Sequence, residues 1–187
     1  TSGETGVEES AGDCSFAVEL STVSDESVSV LYSLEDGGGA TEGTDFNFTG
    51  GELVFPPDTV SKKITVSIID DNVKESPESL FVALSQSPGG IPVGFMSHHC
   101  VIIEDNELLH VRFSERNVNA AESSGENEIE VVLTAEAEND VSVEYALVDE
   151  GNAEKDVDFS FTPGVLIFSA GEAVKLFSYS IIDDNLK

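Results

Sequence analysis

The five residues Ile-Ile-Asp-Asp-Asn occur twice, at 68–72 and at 181–185. Adjacent carboxylates followed by an amide offer hard oxygen donors. Such a set suits calcium, which takes about six to eight oxygens at flexible geometry. Paired carboxylates also serve glycosidic bond cleavage. That reading finds no companion here: there is no Gly-x-Ser-x-Gly, no phosphate loop and no nucleophile–base constellation. A pair recurring at one place in each copy of a repeat behaves as a modular ion site, and no enzymatic function is expected. His98-His99-Cys100 supplies the donors zinc prefers, but neighbours in a strand point to opposite faces and cannot readily share an ion. Cys14 and Cys100 admit two readings, a disulfide or two buried thiols. The repeat counterpart of Cys14 is Asn127.

The charge balance is lopsided: 37 acidic against 8 basic residues in 187, a formal net charge of -29. Such a chain repels phosphate backbones and anionic membrane surfaces, so nucleic-acid binding and direct membrane insertion are not expected. Calcium, neighbouring modules of the same chain and protein ligands are the natural partners; acidic surface serving only solubility is the bland alternative. No apolar run approaches the ~18 residues that span a bilayer. Residues 1–10 are polar and acidic, unlike a signal peptide, so any targeting or membrane segment is expected outside this stretch. The sequon Asn47-Phe48-Thr49 is weak support for a secreted setting.

The organising fact is an internal repeat. At an offset of 113, residues 7–74 align without a gap on 120–187, with 28 identities in 68 positions. Gly43-Thr44-Asp45-Phe46 falls on Asp156-Val157-Asp158-Phe159, and Glu9-Ser10-Ala11-Gly12 on Glu122-Ser123-Ser124-Gly125. We therefore expect two modules, 1–106 and 107–187. The first lacks the counterpart of Leu108 to Phe113. The second lacks the counterpart of Glu75 to Asn106, and with it the last strands and part of the core.

Alternation of period two runs through the chain and helical periodicity does not. Phe16, Val18 and Leu20 share a face, as do Val28, Val30, Tyr32 and Leu34, then Ile64, Val66 and Ile68, then Leu80, Val82 and Leu84. The expected strands of the first module are A before ~10, B 14–21, C 28–34, D 46–48 with 52–55, E 61–69, F 79–85 and G 98–104. Seven short strands in such a length predict an all-β fold, tandem immunoglobulin-like Greek-key β-sandwiches with the second truncated. In alternating strands A, C, E and G end at one pole. That gathers Glu9, Asp36, Asp70, Asp71, Glu104 and Asp105 there, and the E–F loop adds Glu75 and Glu78. Carboxylates so crowded call for a counterion.

The succession Glu-Ser-x-Gly, Tyr-x-x-x-Asp-Gly, Gly-x-Asp-Phe, Gly-x-Leu-x-Phe and Ile-Ile-Asp-Asp-Asn resembles the Calx-beta module, found in sodium/calcium exchangers, integrin β4, a very large adhesion G-protein-coupled receptor and Fras/Frem matrix proteins. The resemblance implies a calcium site built from Glu9, Asp36, Asp70, Asp71, the carbonyl of Val73, Glu75, Glu78, Glu104, Asp105 and Asn106. In the second module it implies an incomplete site of Glu122, Asp149, Asp183 and Asp184. Asn72 and Asn106 stand where the exchanger version has aspartates, Lys74 lies inside the loop and Ser76 replaces a glutamate, so one or two ions are expected rather than a full cluster. The expected function is a calcium-binding repeat of a larger cell-surface or matrix protein, with calcium at the module junction stiffening the array. The alternatives are a spacer that binds no calcium and a cytosolic sensor of an exchanger-like transporter.

Overall fold

The computed structural model describes residues 3–88, 90–148 and 150–183. Contacts group the chain into two compact units, Thr1–Asp71 with Ser76–Asn106 and Asn72–Glu75 with Glu107–Lys187.

In chain order the first nine strands are β1 Gly3–Glu8, β2 Asp13–Glu19, β3 Val28–Glu35, β4 Phe46–Asn47, β5 Gly51–Phe55, β6 Ser61–Ile68, β7 Val73–Lys74, β8 Glu78–Gln86 and β9 His98–Glu104. All but β7 belong to the first unit. One sheet runs β1-β9-β8-β3-β5 and the other β2-β6-β4. The two faces meet in one core. Phe16, Phe46, Ile64 and Val66 come from the smaller sheet, and Val30, Phe55, Leu80, Val82, Val101 and Ile103 from the larger. This is the sandwich that the alternation predicts: inward apolar residues from two sheets interlock while outward positions stay wet.

Segment D divides between the sheets. Its first piece, β4, pairs with β6, and its second, β5, pairs with β3. The intervening Phe48 packs edge-on against Tyr32, with ring centroids 5.9 Å apart. β1 runs parallel to β9, from Gly3 opposite His99 to Glu8 opposite Glu104. Because β9, β8 and β3 are successively antiparallel, β1, β3 and β9 all point the same way.

The second unit holds β10 Val111–Phe113, β11 Glu126–Leu133, β12 Glu136–Ala137, β13 Val141–Tyr145, β14 Phe159–Ser160, β15 Gly164–Phe168 and β16 Val174–Ile181. Its sheets run β10-β11-β16-β14 and β13-β15, and β12 pairs in parallel with β7. Its buried core is Val131, Leu133, Leu166, Phe168 and Phe177.

The repeat is visible in hydrogen bonds as well as in residues. Asp45 accepts from the Thr41 amide as Asp158 does from Glu154, and the Asp45 and Asp158 carbonyls accept from Ile69 and Ile182. Both aspartates thus hold the turn before a core phenylalanine. Gly43 (φ 88°) and its counterpart Asp156 (φ 65°) both take the left-handed conformation that this turn requires.

The cysteines are free and buried. Cys14 lies in the core, whereas Cys100 alternates with the inward Val101 and occupies the other face of β9. A bridge between them would have to cross the sheet. Burial pushes both thiols above their ordinary pKa, with Glu4 adding to the rise at Cys100.

Candidate metal centre

The chain leaves β1 into a 3-10 turn, Glu9–Ala11, and passes to β2 in the other sheet through Gly12 at φ 78°. The Gly12 carbonyl accepts a hydrogen bond from the Ile68 amide at 2.6 Å. This bond joins the end of β6 to the turn that follows β1. The ends of β1, β3, β6 and β9 thus share one pole of the first unit.

The turn drives Glu9 inward, to 3 % exposure, unusual for an acid. Carboxylate oxygens of Glu9, Asp105 and Glu107 lie within 4.8 Å of one another, the one such group of three or more among the described residues. Oε2 of Glu9 and of Glu107 is buried without a hydrogen bond, while both residues take part in other interactions. Two oxygens on opposite sides of one calcium ion sit about 5 Å apart, given bonds of roughly 2.3–2.6 Å. The cluster is therefore of a size one such ion can bridge, and its all-oxygen donors suit calcium, whereas zinc sites are built chiefly on Cys and His. Anion-only clusters of this density are electrostatically costly without a cation.

The remaining expected ligands surround this cluster or stand apart from it. Glu104 ends β9 and is exposed, and Asn106 is exposed beside Asp105. Glu78 opens β8 opposite Ile103. Asp36 is exposed in the loop after β3, and that loop lies over the start of β8: the Ala40 amide donates to the Ser79 carbonyl at 3.0 Å. Asp70 is exposed and Asp71 half-buried after β6. Val73 and Glu75 fall in the segment grouped with the second unit, where β7 pairs with β12 and the Lys74 carbonyl accepts from Glu138. None of Asp36, Asp70, Asp71, Glu75, Glu78 or Glu104 joins the three-carboxylate group.

In the second unit Glu122 occupies the matching 3-10 turn, Glu122–Ser124, but is exposed, and Asp183 is exposed after β16. Asp149 and Asp184 lie outside the described residues. Glu107 was not among the expected ligands. The acidic run 104–107 was its signal, since it continues one residue past Asn106.

The His98-His99-Cys100 triplet divides as strand alternation requires. His99 turns inward, stacked on Phe16 at 4.0 Å and 2.9 Å from the Thr5 hydroxyl. His98 turns outward to Glu35 at 2.6 Å. Burial holds the His99 imidazole below its ordinary pKa.

Two segments, residues 1–107 and 104–187, match the Calx-beta domain family. The chain belongs to the Calx-beta family. It is 34% identical to sodium/calcium exchanger 1 of Canis lupus familiaris over 175 residues, covering 84% of this chain and 18% of the exchanger. It is 31% identical to human sodium/calcium exchanger 3 over 176 residues, covering 83% of this chain and 19% of that protein. The chain therefore spans under a fifth of these relatives' length. Among solved structures it resembles the calcium binding domain CBD12 of CALX1.1, with a TM-score of 0.53 and 26% identity, covering 97% of this chain and 74% of that one. Tandem Calx-beta modules with an immunoglobulin-like sandwich fold are thus what the chain contains.

Proposed function

We propose that this chain is a calcium-binding tandem module of a larger protein, with modules spanning residues 1–106 and 107–187. The observation that carries the proposal is the convergence of Glu9, Asp105 and Glu107 at the pole where the first module's last strand ends. Likeness to a domain described as calcium binding supports it. Glu9 and Asp105 would hold the ion, with Glu107 closing the set. Calcium there would neutralise the carboxylates and restrain the segment 104–107 through which the chain leaves the module.

A ligand that binds only the native state stabilises it by about 2.7 kcal/mol at a hundredfold excess over Kd. The thermal midpoint should therefore rise with calcium and fall again with chelator. The experiment belongs in excess monovalent salt, because a chain at -29 gains from screening by any cation. A melting curve unchanged across millimolar calcium in that background would sink the proposal and leave a structural spacer.

Identity to exchangers over most of the chain favours a second, finer reading, a calcium-sensing segment of an ion transporter. The exposed sequon residue Asn47 on β4 favours a cell-surface or matrix setting instead. Glycan occupancy of Asn47 in the protein from its native source separates the two settings.

A further inference from the structure

The two sheets of the first unit differ on their outer faces. The smaller one is polar: outward positions of β2 and β6 hold Asp13, Ser15, Lys63 and Thr65, with the Ser15 and Thr65 hydroxyls 2.7 Å apart. On the larger one, Phe81 and Ala83 of β8 and Cys100 and Ile102 of β9 point outward, alternating with core residues. None of these four belongs to the core or packs against it. Phe81 lies opposite Cys100, and Ile102 lies opposite Gly6 of β1. Acids flank this apolar patch. The row of paired residues through Phe81 and Cys100 ends at Glu4 on β1 and at Glu35 on β3. Glu8 and Glu104 pair at one end of the strands, and Glu35 reaches His98 at 2.6 Å. The five strands contain no lysine or arginine. Gly6 sits between Glu4 and Glu8 without a positive φ, and a Cβ there would meet only Glu104 Oε1, at an ordinary 3.6 Å. At Gly3, by contrast, a Cβ would fall 2.5 Å from the His99 ring. Packing within the unit therefore explains Gly3 but not Gly6. A glycine inside a strand weakens it and often marks a place where another backbone comes close.

We infer that this face binds a cationic segment of a protein partner, an extended stretch with apolar side chains between two arginines or lysines. Glu4 and Glu35 stand on β1 and β3, with β9 and β8 between them, so interstrand spacings of about 4.8 Å put them roughly 14 Å apart. Basic residues about four positions apart in an extended chain, at roughly 3.3 Å each, span that distance. The segment would cross the strands, set its apolar side chains on Phe81, Cys100 and Ile102, and pass its backbone over Gly6. An apolar centre inside a charged rim is the layout of a protein interface. Complementary charge selects the partner, and a second copy of this acidic chain would bring like charges to the rim. The face uses none of Glu9, Asp105 or Glu107, so it stands apart from the calcium reading.

The test uses the full 187-residue chain and the peptide acetyl-Gly-Arg-Leu-Phe-Leu-Arg-Gly-amide. Amide shifts are read by NMR and alkylation of Cys100 by mass spectrometry. The amides of Gly6, Phe81, Ala83 and Ile102 should shift saturably, and Cys100 should be alkylated several-fold more slowly. In about 0.15 M salt, which screens long-range attraction, peptides with serine for Leu-Phe-Leu or glutamate for arginine should bind about tenfold more weakly or worse. Gly6→Val should weaken binding as much without lowering the melting temperature, because valine suits a strand. Glu4→Gln combined with Glu35→Gln leaves the backbone untouched and should weaken binding through the rim alone. The inference is overturned if the serine peptide binds as well as the apolar one, which would leave only general attraction to a chain at -29. Shifts that miss Gly6, Phe81 and Ile102 overturn it too, as does parent-like binding by both variants. It also falls if the chain alone sediments as a dimer with Cys100 already protected, which would make a second copy the occupant.

Discussion

At the scale of single residues, burial separates acids that occupy matching positions in the repeat. Glu9 and its repeat mate Glu122 occupy the same turn of the same motif, yet Glu9 is 3 % exposed and Glu122 lies open to solvent. Glu9→Gln and Asp105→Asn should each lower calcium affinity about tenfold or more, about 1.4 kcal/mol per decade, when titrated calorimetrically. Glu122→Gln should leave the isotherm unaltered. Sequence shows which acids reach the pole but not which of them turn inward, because the 3-10 turn that buries Glu9 is set by tertiary contact through Gly12 and Ile68. His99 carries a pH dependence of its own. Its folded pKa lies below the unfolded value because burial disfavours the charged ring. The folded state therefore binds fewer protons, and the stability it confers is complete above the unfolded pKa of about 6.5 and is lost as pH falls from there through the depressed folded value. His99→Gln should flatten the difference in melting temperature between pH 7.5 and 5.5, measured against the parent chain.

At the scale of elements, the period-two pattern placed the strands of the first sandwich within a few residues, because each buries one face and the alternation records it. It could not say whether segment D was one bent strand or two. That depends on sheet exchange between β4 and β5, which both sheets' partners decide. Nor could it find β7 and β12, two residues each and too short for any periodicity. The loop after β3 is held by a close approach that no pattern reveals. A Cβ at Gly38 would lie 2.0 Å from the Ser79 carbonyl oxygen, and that neighbour is backbone. Gly38→Ala should therefore displace the loop that carries Asp36, at a cost of about 1–3 kcal/mol, seen as a lower denaturation midpoint at unchanged slope. Gly39→Ala, whose Cβ would meet only the Glu78 side chain at 3.8 Å or more, should cost far less.

At the scale of the whole molecule, the repeat was the most legible feature. Identities at a fixed offset need no structure to be seen, and they carried the fold and the family with them. The three-carboxylate group lies at the acidic pole expected from the sequence and includes Glu107, which was not among the acids named there. A charge of -29 sets a field that no single residue owns. Raising sodium chloride from a few millimolar to about 0.15 M, where the Debye length is ~8 Å, should raise the melting temperature even without calcium, and the calcium increment should survive on top of it. The parallel pairing of β1 with β9 has a mechanical consequence. These are the first and last strands of the first unit, and they run the same way over six paired positions. Tension applied through the chain at Gly3 and at Glu104 pulls the two strands in opposite directions along their length. The load falls on the whole ladder at once, in shear, and the bonds cannot be unzipped one by one. The unit is built to resist pulling from its ends better than an antiparallel edge of equal length would.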